Sequence, residues 1–261
     1  MMVSVAHQAH LTVVIPAYNE EQRIGPTLER IRGYLEKRAF PWEIVVVNDG
    51  SQDQTVRISR EILAGCERHE VIDRKFNRGK GYSVRQGMLA GNGRFLLFSD
   101  ADLSTPIEEV ERLLPPLESG EVQVSIGSRA LRDSRVEVHQ PWWREAMGKS
   151  FNLFVRLIAL GGLCDTQCGF KCFTREAARS IFSVARIDGF GFDVEALYLA
   201  RKFGFAVQEI AVRWVNSPDS RVHPLSDSSR MLADLLRIRF TDFRGGYRSG
   251  NGLDRQGRQG P

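Results

Sequence analysis

Two aspartates, Asp100 and Asp102, flank a single alanine at the end of an apolar run, FLLFSDAD. In an extended segment residues i and i+2 point the same way. Both carboxylates can then reach one hard cation, directly or through water. Mg²⁺ and Mn²⁺ favour oxygen ligands and bridge carboxylates to substrate phosphates. Such an ion would neutralise charge growing on a departing diphosphate. An Asp-x-Asp pair also serves ordinary turns and caps, so the pair has to be weighed with its companions.

Those companions follow other apolar runs. Asp49 closes one, where a carboxylate can accept a hydrogen bond from a uracil N–H or a ribose hydroxyl, as acids at strand ends do in nucleotide folds. Pro16, Tyr18 and Glu20 follow another. Tyr18 can lie against a base and Glu20 near a ribose, or the segment is a plain turn with Asn19 as a helix N-cap. Asp53 is the better cap for the helix after Asp49. Lys80, in NRGKG, stands at a glycine-rich helix start, where anions are favoured. It can meet a diphosphate, although P-loop spacing is absent. Arg129, Arg135, Arg144 and Arg221 fall at strand ends or in loops. Guanidinium forks match phosphate oxygens, while a lone arginine is more often a surface charge.

The elements that must hold these groups alternate. Residues 11–17 read LTVVIPA, a continuous β-branched run of the kind buried on both faces of a sheet. Further strands are expected at 43–47, 70–74, 94–99, 122–127, 169–174 and 206–212. Helical spacing marks 20–38, 53–66, 79–90 and 192–203, and Pro106 opens another helix at its first turn. Alternating strands and helices predict an α/β fold, a mostly parallel twisted sheet with helices on both faces. Ligands of such sheets bind outside the carboxyl ends of the strands, near the switch in strand order. The clusters at 16–20, 49–51 and 100–102 each follow a strand, so these three should converge on one crevice.

Residues 1–244 read as a single domain, and the Gly-, Arg- and Gln-rich residues 245–261 as a disordered tail. With 42% hydrophobic and 26% charged residues the chain can bury a core, which excludes disorder as its main character. The net charge of +4 suits contact with nucleotides, lipid phosphates or an acidic leaflet and is too weak to argue for nucleic acid. Cys164, Cys168 and Cys172 are four apart, but no histidine lies near and a fourth thiolate is missing, so they read as small buried thiols in a reduced compartment. Residues 1–10 do not show the cationic start and apolar stretch of a signal peptide, and no run of about 18 apolar residues occurs, so no spanning helix is expected. The expected location is cytoplasmic. Residues 151–163 and 226–240 are amphipathic or basic enough to lie at a membrane interface, or to face the core.

Seven segments in order resemble glycosyltransferase family 2, with its GT-A fold, and within it the dolichyl-phosphate glucose and mannose synthase branch. They are VVIPAYNEE, IVVVNDGSQDQT, NRGKGYSVRQGM, FSDADLSTP, IGSRAL, DTQCGFKCFTREAA and GFDVEALYLARKFG, spanning residues 11–215. The resemblance implies that Pro16, Tyr18, Glu20 and Asp49 hold the nucleoside. Asp100 and Asp102 would hold Mg²⁺ or Mn²⁺ and the diphosphate. Arg129 and Arg144 would hold the acceptor phosphate. Gln167 and Gly169, Phe170 and Lys171 would line the sugar pocket, and Arg221 would close over the diphosphate. The implied partners are a nucleotide sugar, best UDP-glucose, and a polyprenyl phosphate, with peripheral membrane contact on the cytoplasmic face.

Family 2 enzymes that glycosylate hydroxyls generally carry a Glu-Asp or Asp-Asp pair and often Gln-x-x-Arg-Trp. Here the matching stretch is DTQCGFK. A sugar hydroxyl needs a general base. A phosphate monoester is already anionic and needs only binding and alignment. The expected reaction is therefore one inverting in-line displacement. Rival readings are a same-fold enzyme acting on a small hydroxyl acceptor, a nucleotidyltransferase, or a non-catalytic nucleotide-sugar binding module. Pro-Ala-Tyr-Asn-Glu after the first strand speaks against the nucleotidyltransferase.

Overall fold

The computed structural model describes residues 8–137, 161–215 and 224–248, with the backbone alone for 224–229. Strand β1 (Leu11–Ala17) is buried along its whole length, and its alternate side chains enter two different layers. Leu11, Val13 and Ile15 join one cluster, while Val14 joins the other. This is what a β-branched run does when both faces of a sheet are covered.

Helix α1 (Ile24–Leu35) lays Ile24, Leu28, Ile31 and Leu35 into the first layer. There follow β2 (Trp42–Asn48), α2 (Thr55–Leu63), β3 (His69–Asp73), α3 (Lys80–Ala90) and β4 (Phe95–Ser99). Pro106 precedes a 3-10 turn at Ile107–Glu109, which runs into α4 (Val110–Glu118). Next come β5 (Val124–Ser128), the short β6 (Arg135–Val136) and β7 (Phe170–Thr174). Helix α5 (Arg175–Phe182), α6 (Phe192–Lys202), β8 (Val207–Ala211), β9 (Arg213–Trp214) and α7 (Pro224–Phe243) complete the described chain.

Seven strands form one sheet in the order β3-β2-β1-β4-β7-β5-β8, and β6 pairs with β9 apart from it. Strand β7 runs antiparallel to both β4 and β5, and every other pair in the sheet is parallel. The order turns back between β1 and β4, where a ligand crevice is expected. Helices α1 and α4 cover one face, and α3, α5, α6 and α7 the other. Phe98 of β4 is fully buried on the second face, edge-on to Phe192 at 5.5 Å. Truncating such a ring to alanine costs about 3–5 kcal/mol.

Three expectations change. Helix α5 was not legible as an element, because it begins with no loop at the last residue of β7. Thr174 ends the strand and caps the helix, its side chain accepting from Ala177 N at 3.3 Å. Arg135 stands at the start of the two-residue β6, a strand the sequence did not announce. The chain also stays packed past residue 244: Tyr247 is buried, and its hydroxyl donates to Glu195 Oε1 at 2.6 Å. Residues 249–261, the rest of the expected tail, lie outside the described residues. So does most of the amphipathic stretch at 151–163.

Candidate active site

Three loops meet beyond the carboxyl ends of β1, β2 and β4. Asp49, buried after β2, accepts from Arg78 N at 2.9 Å and Gly79 N at 2.7 Å, and pairs with Arg74 at 3.1 Å. Its carboxylate thus fastens the glycine-rich loop that starts α3. Gly79 has φ +107°, and a Cβ there would lie 2.4 Å from Asp188 O, so both conformation and space require glycine. The next residue, Lys80, puts Nζ 2.6 Å from Asp100 Oδ1. Burial alone would lower the Lys80 ammonium, but Asp100, Asp193 and Asp102 together hold its pKa above the usual lysine value. Asp49 is therefore tied through residues 78–80 to the Asp100–Asp102 pair.

That pair sits on a turn and not on an extended segment. Leu103 N donates to Asp100 O at 3.2 Å, Leu103 has φ +46°, and Asp102 Oδ1 accepts from Ser104 N at 2.9 Å. The i, i+2 argument for a shared direction does not apply; the shared field at Lys80 is what joins the two acids. The Asp100 carboxylate packs closely on Gly169, where a Cβ would fall 2.0 Å from Oδ2. The start of β7 and the end of β4 touch here, Asp100 N donating to Gly169 O at 3.2 Å.

After β1, Asn19 has φ +51° and caps no helix. Its backbone N donates to Ser51 Oγ at 2.8 Å and its side-chain Oδ1 accepts from Gln52 N at 2.9 Å, stitching the first two loops together. Asp53 accepts from Thr55 N, the first residue of α2, at 3.0 Å, but it stands one position before the cap, which is Gln54. Pro16 is buried inside β1, Tyr18 is exposed beside it, and Glu20 holds Arg23 through both carboxylate oxygens at 2.7 and 2.9 Å.

The second wall follows β5. Arg129 grips the buried Asp165: its backbone N and Nε reach Oδ2 at 2.9 and 2.7 Å, and Nη2 reaches Oδ1 at 2.9 Å. Burial pushes the Asp165 carboxyl up, but Arg129 outweighs it and brings the pKa down to about 2. The guanidinium stacks 5.5 Å from Trp214 and still shows 30% of its side chain to solvent. Gln167, two residues on, donates its backbone N to Asp165 and its Nε2 to Met231 Sδ at 3.6 Å on α7.

Two residues expected in the sugar pocket are not at an open surface. Phe170 is fully buried in the first-face cluster. Lys171 is equally buried on the other face, where its ammonium donates to Cys168 O at 2.6 Å and to Asp193 in the first turn of α6. Burial raises the Asp193 pKa against the pull of Lys171 and Lys80. Asp165 and Asp193 were given no role from sequence. A lysine inside a buried strand was the available signal, since it demands a partner. Arg144 and Arg221 lie outside the described residues. Cys66, Cys168 and Cys172 are buried thiols and Cys164 is half-buried.

The residues fit a Mg²⁺ or Mn²⁺ ion of the substrate-bridging kind. Asp100 Oδ1 is shielded from solvent and is met by the Lys80 ammonium at 2.6 Å, so the carboxylate already holds a cation at this spot. Among the described residues no three His, Cys, Asp or Glu side chains form a cage. A hard cation held by one or two carboxylates completes its shell with phosphate oxygens and water.

The model of the family described as "Glycosyl transferase family 2" matches residues 12–182, from β1 through α5. The chain belongs to glycosyl transferase family 2. It is a glycosyltransferase, and the match takes in Asp49, Lys80, Asp100, Asp102, Arg129, Asp165 and Gln167, while Asp193, Trp214 and Met231 fall beyond it. Relatives extend further. A human dolichyl-phosphate beta-glucosyltransferase is 36% identical over 91% of this chain and 77% of its own. The enzymes of the same name from Drosophila melanogaster and Dictyostelium discoideum are 38% and 36% identical over 87% and 88% of this chain, each match covering 74% of the relative. Among solved structures, glucosyl-3-phosphoglycerate synthase from Mycobacterium tuberculosis with UDP superposes with a TM-score of 0.68 at 22% identity, over 89% of this chain and 80% of that one. The same protein with Mn²⁺, UDP-glucose and phosphoglyceric acid gives 0.66 at 21% identity, again over 89% and 80%. The fold is that of a GT-A glycosyltransferase.

Proposed function

We propose that this enzyme transfers glucose from UDP-glucose to a polyprenyl phosphate, dolichyl or undecaprenyl, inverting the anomeric carbon, at the cytoplasmic face of a membrane. The carrying observation is the state of Asp165, the carboxylate of the DTQCGFK segment. It is spent on Arg129 and its pKa of about 2 makes it too weak a base to deprotonate a sugar hydroxyl. A lipid phosphate needs no such base. The relatives named above supply the sugar and the acceptor class.

Asp49, Tyr18, Glu20 and Pro16 line the nucleoside end, with Asp49 fixing the loop that presents Lys80. Lys80 offers a cation to the diphosphate, leaving Asp100 as the donor loads. Asp100 and Asp102 hold the Mg²⁺ or Mn²⁺ ion. Bound there, such an ion would supply neutralisation of the negative charge on the UDP leaving group. Arg129, with its exposed edge, orients the acceptor phosphate, and Arg144 joins it. Gln167 contacts the sugar, and Arg221 closes on the diphosphate. The phosphate oxygen attacks the anomeric carbon from the side opposite UDP; the C1–O bond to UDP breaks, and a β-linked lipid phosphosugar forms from an α-linked donor. Positioned charges, rather than a proton transfer, carry the rate.

Incubating the purified chain with labelled UDP-glucose, Mn²⁺ and either polyprenyl phosphate or 3-phosphoglycerate tests this. Label should pass to the lipid, and NMR should show a β anomer. Transfer to phosphoglycerate alone, or an α product, would overturn the reading.

A further inference from the structure

The geometry points to α7 as the face by which this protein docks on an anionic lipid surface, an inference that rests on the lipid-phosphate acceptor proposed above. Of the six large hydrophobic side chains the described structure leaves exposed, four stand on this one helix: Leu232, Leu236, Phe240 and Phe243. Phe243 is 89% exposed and Leu236 60%. At about 100° per residue the four fall within an arc of roughly 80°. The opposite side of the helix is fully used, Met231, Leu235 and Ile238 being buried in the core. The stripe is thus an outward surface and not a misplaced core face.

Its borders are basic. Arg239 stands on one edge of the arc, and Arg244 and Arg237 on the other, all exposed. The Arg244 guanidinium lies 4.1 Å over the Phe240 ring. No acid of residues 230–248 is exposed. Asp234 is half-buried against Gly191, and Asp242 is engaged by Lys202 and Tyr198. An apolar stripe edged by arginines alone matches the layering of a leaflet, acyl chains beneath anionic headgroups. A second copy of the same face would set arginines against arginines with no exposed carboxylate to pair them.

The helix also touches the site from its inner side. Met231 meets Gln167, and Asp234 packs at Gly191, two residues before Asp193. Seating the outer stripe in a leaflet therefore sets the acceptor wall of the crevice beside the membrane surface, where a polyprenyl phosphate presents its headgroup.

Flotation of the full chain with vesicles tests the inference. The protein should float with phosphatidylcholine vesicles containing phosphatidylglycerol and not with phosphatidylcholine alone, and added salt should release it. Leu236→Ser with Phe240→Ser should weaken binding about tenfold or more. Arg237→Gln with Arg244→Gln should weaken it about fivefold per charge. The Leu236→Ser, Phe240→Ser protein should transfer glucose to a short, water-soluble isoprenyl phosphate as the parent does, which shows an intact site. Docking by α7 is overturned if the parent ignores anionic vesicles, if the serine variant floats equally well, or if the parent is a dimer that the serine variant makes monomeric. Flotation without transfer to any phosphate would instead sink the proposed reaction and leave the docking face standing.

Discussion

Replacing Asp165 by asparagine should loosen the wall that follows β5, and the size of the effect follows from its contacts. The carboxylate accepts from Arg129 N and Nε on one oxygen, and from Arg129 Nη2 and Gln167 N on the other. Asparagine keeps one acceptor oxygen, so one of those donor pairs must face an NH₂ group. The ionic part can be worked from linkage. A carboxyl moved from 3.8 to about 2 contributes about 2.4 kcal/mol of stability at neutral pH. Leaving a buried partner uncompensated costs about 3–5 kcal/mol. Arg129 keeps some solvent contact, which places the expected loss near the lower end, about 3 kcal/mol. Because the folded pKa lies below the unfolded one, this stability is fully present above the unfolded value and fades as pH falls toward the folded one. Urea unfolding followed by tryptophan fluorescence should show a gap between parent and variant of about 3 kcal/mol at pH 7, unchanged at about pH 5 and narrowed by about 1 kcal/mol at pH 3. A gap that stays constant to pH 3, or one below about 1 kcal/mol at pH 7, would refute the assignment of Asp165 as the ionised partner of Arg129.

Gly169→Ala should separate activity from stability. The added methyl would fall 2.0 Å from Asp100 Oδ2, and a partly exposed side chain can swing away; we expect unfolding to change by under about 1 kcal/mol while glucosyl transfer falls about a hundredfold or more. The buried pair is asymmetric: Asp193 faces both Lys171 and Lys80. Asp193→Asn should thus destabilise by about 3–5 kcal/mol and Lys171→Met by visibly less, and equal losses in urea would contradict the shared-cation arrangement. Mn²⁺ and UDP together should raise the thermal midpoint beyond the sum of their separate effects. A ligand at about a hundredfold over its Kd adds about 2.7 kcal/mol, or roughly 5–10 °C here. Asp102→Ala should abolish that synergy, and a chelator should abolish transfer without lowering the midpoint of the free protein.

Most of the fold was legible because its strands are hydrophobic on both faces and its helices keep a 3.6 period. Strand β1 emerged with its expected bounds, and the other main strands within two residues. The convergence of the loops carrying Asp49 and the Asp100–Asp102 pair also followed from one rule about strand ends, while Lys80 joins them from the start of a helix. Sequence alone did not disclose pairing across long separations. Asp165 and Arg129 are 36 residues apart, and Asp193 and Lys171 are 22 apart, with no period linking them. The turn at Asp100 was read as extended because nothing in Asp-Ala-Asp announces that Leu103 adopts a left-handed conformation. Helix α5 was hidden since its cap is also the last residue of a strand, although Thr174 followed by REAARS was a usable signal.

The reversed direction of β7 separates two tasks that share one sheet. Its hydrogen bonds to β4 and β5 are made by backbone and are indifferent to what precedes Phe170. Because it runs backwards, the residues that lead into it arrive at the reactive edge, whereas the equivalent lead-in of a parallel strand would arrive at the far one. Substitution or lengthening upstream of Gly169 can thus change which acceptor is met without asking the sheet to refold. A lineage could diversify its products by editing that approach alone, keeping the nucleotide-handling half unaltered.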